Sequence, residues 1–258
     1  MMKKEYPILE YDVNSEALIE PHKVIKPIPE IPKQCVICFF QDVITHLLEQ
    51  NRLIEVTTLN SEMAKHPIFI FQHNKQPVTL FHPGVGAPLA AGLLEEVIAL
   101  GCDTFVACGG AGVLGENIEV GYLLVPTSAI RDEGTSYHYL PPGREVSATS
   151  EVVEAIEATF KKHQIAYRLT KTWTTDAIYR ETREKVELRR SEGCLTVEME
   201  AAAMFAVAQY RKVRIGQILY SGDYLGGAYW DNRQWDDRWE IREQLVSLSA
   251  EVCLRMSS

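Results

Sequence analysis

A chain of 258 residues, 46% hydrophobic and 24% charged, has an ordinary globular composition and enough length to bury a large core. Its formal net charge of −9 argues against a nucleic-acid partner, whose binding draws on Lys and Arg contacts to phosphate. No apolar run reaches the roughly eighteen residues of a membrane span, and the start, Met1–Pro7, lacks a signal peptide's apolar stretch, so a cytoplasmic protein with a small-molecule ligand is expected.

Residues 1–33 are polar and punctuated by Pro7, Pro21, Pro27, Pro29 and Pro32, which disfavours helix and predicts an arm, without a core of its own, lying on this or another subunit. From residue 34 to 258 strands and helices alternate as a single α/β domain. Strands are predicted at Cys35–Phe40, Leu53–Leu59, Ile68–Gln72 and Pro77–His82, with helices at Asp42–Gln50 and Pro88–Leu100. A buried strand at Thr104–Cys108 leads to a glycine turn, a strand at Tyr122–Pro126 and an irregular segment to about Ser147. Then follow helix Glu151–His163, strand Ala166–Trp173, helix Arg180–Arg190, strand Cys194–Val197, helix Glu198–Tyr210, strand Val213–Ser221 and helix Arg238–Leu254. The early strand-to-strand segments are too short for parallel crossovers, so a mixed central sheet flanked by helices is expected. The six cysteines (35, 38, 102, 108, 194 and 253) lie in apolar segments, which suits buried thiols. Cys35-x-x-Cys38 sits in a strand-like run whose side chains alternate, so no metal or redox cofactor is assigned to it.

Gly110-Ala111-Gly112-Val113-Leu114-Gly115 matches G-x-G-x-x-G after a strand, but it runs through Glu116–Glu119 into another strand. A dinucleotide fingerprint would open a helix onto a pyrophosphate, so that function is set aside. The glycines predict a strand-to-strand turn, either beside a ligand or simply tight.

Val197–Ala203, His82–Pro88, Thr104–Gly112, Pro21-His22, Trp173–Arg180 and Ser221-Gly222-Asp223 together resemble the nucleoside phosphorylase/uridine phosphorylase superfamily, which includes purine nucleoside phosphorylases and nucleosidases. Val197-Glu198-Met199-Glu200-Ala201-Ala202-Ala203 is similar to its V/Y-E-M-E-x-A signature, and His82-Pro83-Gly84-Val85-Gly86-Ala87-Pro88 to its T-G-M-G-x-P turn. Thr104–Gly112, Pro21-His22, Trp173–Arg180 and Ser221-Gly222-Asp223 resemble its second glycine strand, P-H-I element, base-pocket loop and S-D element, the last with one inserted glycine. The resemblance implies Glu198, Met199 and Glu200 at a ribose, the second glutamate taking its hydroxyls, and His22 reaching a neighbour's ribose. It implies Ala177, Ile178, Tyr179 and Arg180 at the base, Asp223 as the acid on the leaving base, and Gly84, Gly109 and Gly110 around the nucleophile. Helix capping by the two glutamates and an Asx turn at Asp223 are the structural alternatives.

The family's phosphate-gripping G-D-P-x-R loop and R-x-G-T/S-x-G motif are altered to Phe39-Phe40-Gln41-Asp42-Val43 and to Ala107-Cys108-Gly109-Gly110-Ala111-Gly112. Losing a bidentate clamp and a hydroxyl predicts poor phosphate affinity unless Arg52, Arg131, Arg144 or Arg183 compensates. The implied activity is phosphorolysis of a purine-type nucleoside to free base and ribose 1-phosphate, with hydrolysis by water or non-catalytic nucleoside binding as alternatives. Nucleoside, inorganic phosphate as co-substrate, and a homo-oligomer (a dimer or a trimer of dimers) are the implied partners.

Overall fold

The computed structural model describes residues 6–14 and 16–257. A short helix α1 (Pro21–Val24) precedes β1 (Gln34–Cys38), α2 (Gln41–Glu49), β2 (Leu53–Asn60), β3 (Lys65–His73), β4 (Gln76–Phe81) and α3 (Ala87–Leu100). Then come β5 (Thr104–Val113), β6 (Leu123–Asp132), β7 (Glu145–Ser147), α4 (Ser150–Lys162) and β8 (Tyr167–Thr175). The chain ends with α5 (Arg183–Ser191), β9 (Cys194–Glu198), α6 (Ala201–Arg211), β10 (Arg214–Tyr224) and α7 (Trp239–Arg255). No helix among the described residues is long and apolar enough to cross a membrane.

All ten strands form one mixed sheet, as alternating helices and strands with a tight early meander require. Strands β2, β3 and β4 are antiparallel neighbours, whereas β4, β1, β5 and β10 run parallel. Beyond β10 the sheet continues through antiparallel β6, then β8 and β9 parallel to it. At Gly112 and Val113, β5 pairs antiparallel with β9, so β5, β10, β6, β8 and β9 close into a ring. Successive residues of a strand face opposite layers. Thus Val106 and Cys108 join the core under α2, α4 and α7, while Phe105 and Ala107 join the core under α3 and α6. Helix α6 is buried from Ala201 through Ala208, and its alanines let it sit close against the sheet.

Three expectations change here. The glycine run is strand rather than turn up to Val113, and it is glycine because neighbouring side chains cross it. A Cβ on Gly110 would stand 3.0 Å from the Tyr220 ring, and one on Gly112 only 2.6 Å from Leu225 and 2.9 Å from Val197. The segment after Pro126, expected irregular, carries β6 on to Asp132 through a bulge between Pro126 and Ser128, and then supplies β7. The arm is not without a core: Ile31 is buried, and Ile25 and Ile28 pack with it against the α3 layer. Buried Glu20 in the arm accepts from Arg211, which also grips Glu95 of α3 at 2.6 Å. All six cysteines are free and buried.

Candidate active site

The carboxyl ends of β5, β9 and β10 meet where the sheet closes, and ligands of α/β folds collect at such strand ends. A cavity of about 340 Å³ there is lined by Gly109–Gly112, Glu198, Met199, Glu200, Gln217, Tyr220 and Asp223. It shares Gly112, Ile178, Val197, Glu198, Met199, Asp223 and Trp235 with an outer chamber of about 770 Å³, which makes one continuous cleft.

Strand β9 ends at Glu198, and α6 starts at Ala201 rather than at Glu198 as the sequence predicts, because Glu198 caps the helix from outside. Its carboxylate accepts from the Glu200 and Ala201 amides at 2.8 and 2.6 Å and from the Thr174 hydroxyl at 2.6 Å. Thr174 in turn accepts from the Ala202 amide at 3.0 Å. These bonds engage the N–H groups of Ala201 and Ala202 at the start of the helix and occupy both Glu198 oxygens. Glu200 accepts from the amide of Gly86, the residue before α3, at 2.6 Å through one oxygen. Gly86 has φ +93°, a conformation that favours glycine. Burial pushes the Glu198 carboxyl up to about 7, and burial together with the neighbouring Glu198 charge pushes Glu200 up to about 8.

At the other end, Asp223 accepts from the Trp230 indole N–H at 2.6 Å. Glu181 lines the same outer chamber, and burial and the Asp223 charge push its carboxyl up to about 7. The segment 225–238 folds over this end, fastened by the Tyr220 hydroxyl donating to the Trp235 carbonyl at 2.9 Å. Aromatic rims stand at the mouth: Tyr179 is 93% and Trp230 62% exposed.

The structure therefore brings together Glu198, Met199, Glu200, Ile178, Tyr179, Gly109, Gly110 and Asp223 of the residues singled out in the sequence. Ala177 and Arg180 lie exposed on the same loop, outside the lining. Gly84 belongs instead to a neighbouring apolar hollow with Met63 and His66, packed on Leu89. His22 stands on the exposed arm, 4.0 Å from Glu20 and away from this chain's own cleft. None of the four arginines considered as substitutes lines the cleft. Arg52 pairs with Glu243 at 3.4 Å, Arg131 donates to Ser136 at 2.9 Å, Arg144 pairs with Glu192, and Arg183 donates to the Ala228 carbonyl at 2.9 Å. A different arginine, Arg242 of α7, does line it, paired with Asp42 at 2.7 Å and stacked 4.9 Å from the Phe40 ring. Glu181, Gln217, Trp230 and Arg242 escaped sequence reasoning. Gln217 alone carried a signal, as a polar residue inside the apolar run Ile215–Tyr220.

Residues 33–256 match the phosphorylase superfamily. The chain belongs to that family. It is 31% identical over 170 residues to a guanosine phosphorylase of Halorubrum lacusprofundi, covering 64% of this chain and 69% of that protein. Over 159 residues it is 29% identical to a uridine phosphorylase of Thermococcus kodakarensis, covering 55% of this chain and 56% of that protein, so the match spans about half the relative's length. Similar solved structures include a uridine phosphorylase from Vibrio fischeri, with TM-score 0.75 and 22% identity over 91% of this chain and 98% of that one. An AMP nucleosidase from Bacteroides thetaiotaomicron has TM-score 0.71 and 20% identity, over 88% and 90% of the two chains. Both share the mixed α/β single-domain fold.

Proposed function

We propose that this chain cleaves the N-glycosidic bond of a purine-type nucleoside, with the ribose over Met199 and Glu200 and the base against Asp223 and Glu181. The observation that carries this is the placement of buried Glu200 in the inner cavity and of Glu181 in the outer chamber of one continuous cleft, with Asp223 lining both.

Breaking the bond builds positive charge on the sugar and negative charge on the base. Glu200 keeps one oxygen outside its bond to Gly86, and ribose hydroxyls donating to it stabilise its ionised form, against the burial that raises its pKa. The ionised carboxylate then lies beside the developing oxocarbenium, so its stabilisation grows towards the transition state. At the base end burial, with the Asp223 charge added, pushes the Glu181 carboxyl up to about 7, so Glu181 stores a proton near neutral pH. That proton goes to the departing base nitrogen by way of Asp223, the carboxyl placed as the acid at the base, with Glu181 as its partner. Glu198 is the strut: it fixes the start of α6 and so the position of Glu200.

A screen of purine and pyrimidine nucleosides for released base, each with and without inorganic phosphate, tests this. Purine nucleosides are expected to turn over fastest. Tight binding of nucleosides without release of any base would make the chain a nucleoside-binding protein instead.

A further inference from the structure

Gln217 lies in β10 in register with Ala107 of β5. Its side chain is 1% exposed, lines the inner cavity with Glu200, Gly109 and Gly110, and its Oε1 has no hydrogen-bond partner among the described residues. Leaving a buried amide oxygen unpaired costs about 1–3 kcal/mol, and such groups in native proteins call for a ligand or water. We propose that Gln217 holds the nucleophile and that this nucleophile is water, which makes the chain a hydrolase. The inference rests on the glycosidic cleavage proposed above and specifies its attacking species.

Three features of the same cavity point this way. An amide oxygen accepts a hydrogen bond, so it matches the O–H of water and opposes the acceptor oxygens that make up most of a phosphate's surface. Positive charge for a phosphate is scarce. Ala107 supplies none, and Arg242, whose buried Nε has no hydrogen-bond partner among the described residues, is paired through its Nη1 with Asp42 at 2.7 Å, while Glu200 and Asp223 add negative charge. The glycine side of the cavity is also covered by rings, since Phe39 and Tyr220 stand 3.3 and 3.0 Å from where side chains on Gly109 and Gly110 would begin, and rings offer an anion no positive charge.

In the step itself the C1′–N bond breaks and its electron pair leaves with the base, which takes the proton stored on Glu181 and passed on by Asp223. The water oxygen bonds to C1′ as Gln217 Oε1 accepts one of its hydrogens and orients a lone pair at the sugar. The proton that the bound water sheds returns through solvent to Glu181. One water is consumed, and free ribose and free base leave.

The test is turnover of guanosine and inosine in ¹⁸O-labelled water, with and without excess inorganic phosphate, with the sugar product identified by mass. Free ribose carrying the label at C1, at a rate indifferent to phosphate, is expected. Gln217→Leu, similar in volume, should lower kcat by about a hundredfold with KM nearly unchanged, the scale of a mispositioned reactant. Gln217→Glu keeps an acceptor and should recover at least tenfold of that loss, which a purely structural role would not give. Ribose 1-phosphate formed at a phosphate-dependent rate would overturn the inference and leave the cleavage assignment standing. No base release in either medium would overturn both. A fully active Gln217→Leu would remove Gln217 from the mechanism, and the labelling of the unaltered protein decides the nucleophile even if that variant does not fold.

Discussion

The two ends of the cleft are built differently. At the sugar end the carboxylates of Glu198 and Glu200 are buried, stand where β9 passes into α6, and are fixed by backbone amides of α6 and of the turn before α3. At the base end Asp223 leans on one indole N–H from a loop, Glu181 comes from another loop, and the surrounding aromatics are largely open to solvent. Regular elements place side chains more tightly than loops do, whereas loops vary without cost to the core. In the proposed function the sugar, common to every nucleoside, is met by the rigid end. The base is there met by the adaptable end, and that reading assigns discrimination among bases to segments 176–182 and 225–238.

The largest expected effects test this division directly. Asp223→Asn should lower kcat for purine nucleosides by about a hundredfold or more, the usual scale of general acid catalysis, yet leave a nitrophenyl riboside nearly unaffected because its leaving group needs no proton. Glu200→Gln should slow both substrates alike, since the charge it stabilises is on the sugar whichever group departs. Equal loss on both substrates for Asp223→Asn would make Asp223 a turn residue and erase the functional difference between the ends.

A smaller effect is expected where the two ends touch. Gly112 lies between them, and the methyl of Gly112→Ala would meet Leu225 and Val197 at 2.6 and 2.9 Å. Overpacking of that kind costs about 1–3 kcal/mol, and because Leu225 starts the covering segment, KM should rise more than kcat falls. An unchanged melting temperature and KM would show that the segment yields freely. Smaller again, Trp230→Phe removes the N–H held by Asp223. The indole is mostly exposed, so a change of severalfold in kcat for purine nucleosides is expected, with none for the nitrophenyl riboside.

The same division explains what was legible beforehand. The sugar end could be read from Val197–Ala203 because a strand end, two acids and an all-apolar helix are contiguous in the chain. Capping by Glu198, which the sequence left as an alternative to ribose binding, is what its carboxylate does, since Thr174 and two amides already hold it. The glycine run was misjudged because glycine usually marks turns, and nothing local reveals that Tyr220, Val197 and Leu225 cross above it. Glu181 was hidden inside a segment read as charged surface helix, which begins only at Arg183. Its partner Asp223 is forty-two residues away, and only the ring closure of the sheet brings them to one chamber. The covering segment 225–238 has no hydrophobic period from which its place over the cleft could be read.

The smallest expected effect is on stability, and its size, not its sign, separates the ends once more. Glu198 and Glu200 have folded-state pKa values raised to about 7 and about 8, and Glu181 to about 7, all above the ordinary glutamate range in the unfolded chain. At these three carboxyls the folded protein therefore binds more protons than the unfolded chain between roughly pH 4.5 and 8. The stability associated with these groups is fully present below the unfolded value and is lost as pH rises through the folded ones. Half-buried histidines whose pKa values burial lowers, His73 and His82, act in the opposite sense below the ordinary histidine value, so wild type and variant must be compared at each pH. Glu200→Gln cannot ionise, so its melting temperature relative to wild type should climb as pH rises from about 5 to about 8.5, by roughly 2–4 °C for each kcal/mol recovered. Glu181→Gln should show the same slope in smaller measure, because its more open carboxyl loses less on ionising. Thermal melts of the three proteins across that range check it. A flat difference for Glu200→Gln would mean that Glu200 ionises in the folded protein as easily as in water, and the buried, fixed character of the sugar end would not hold in solution.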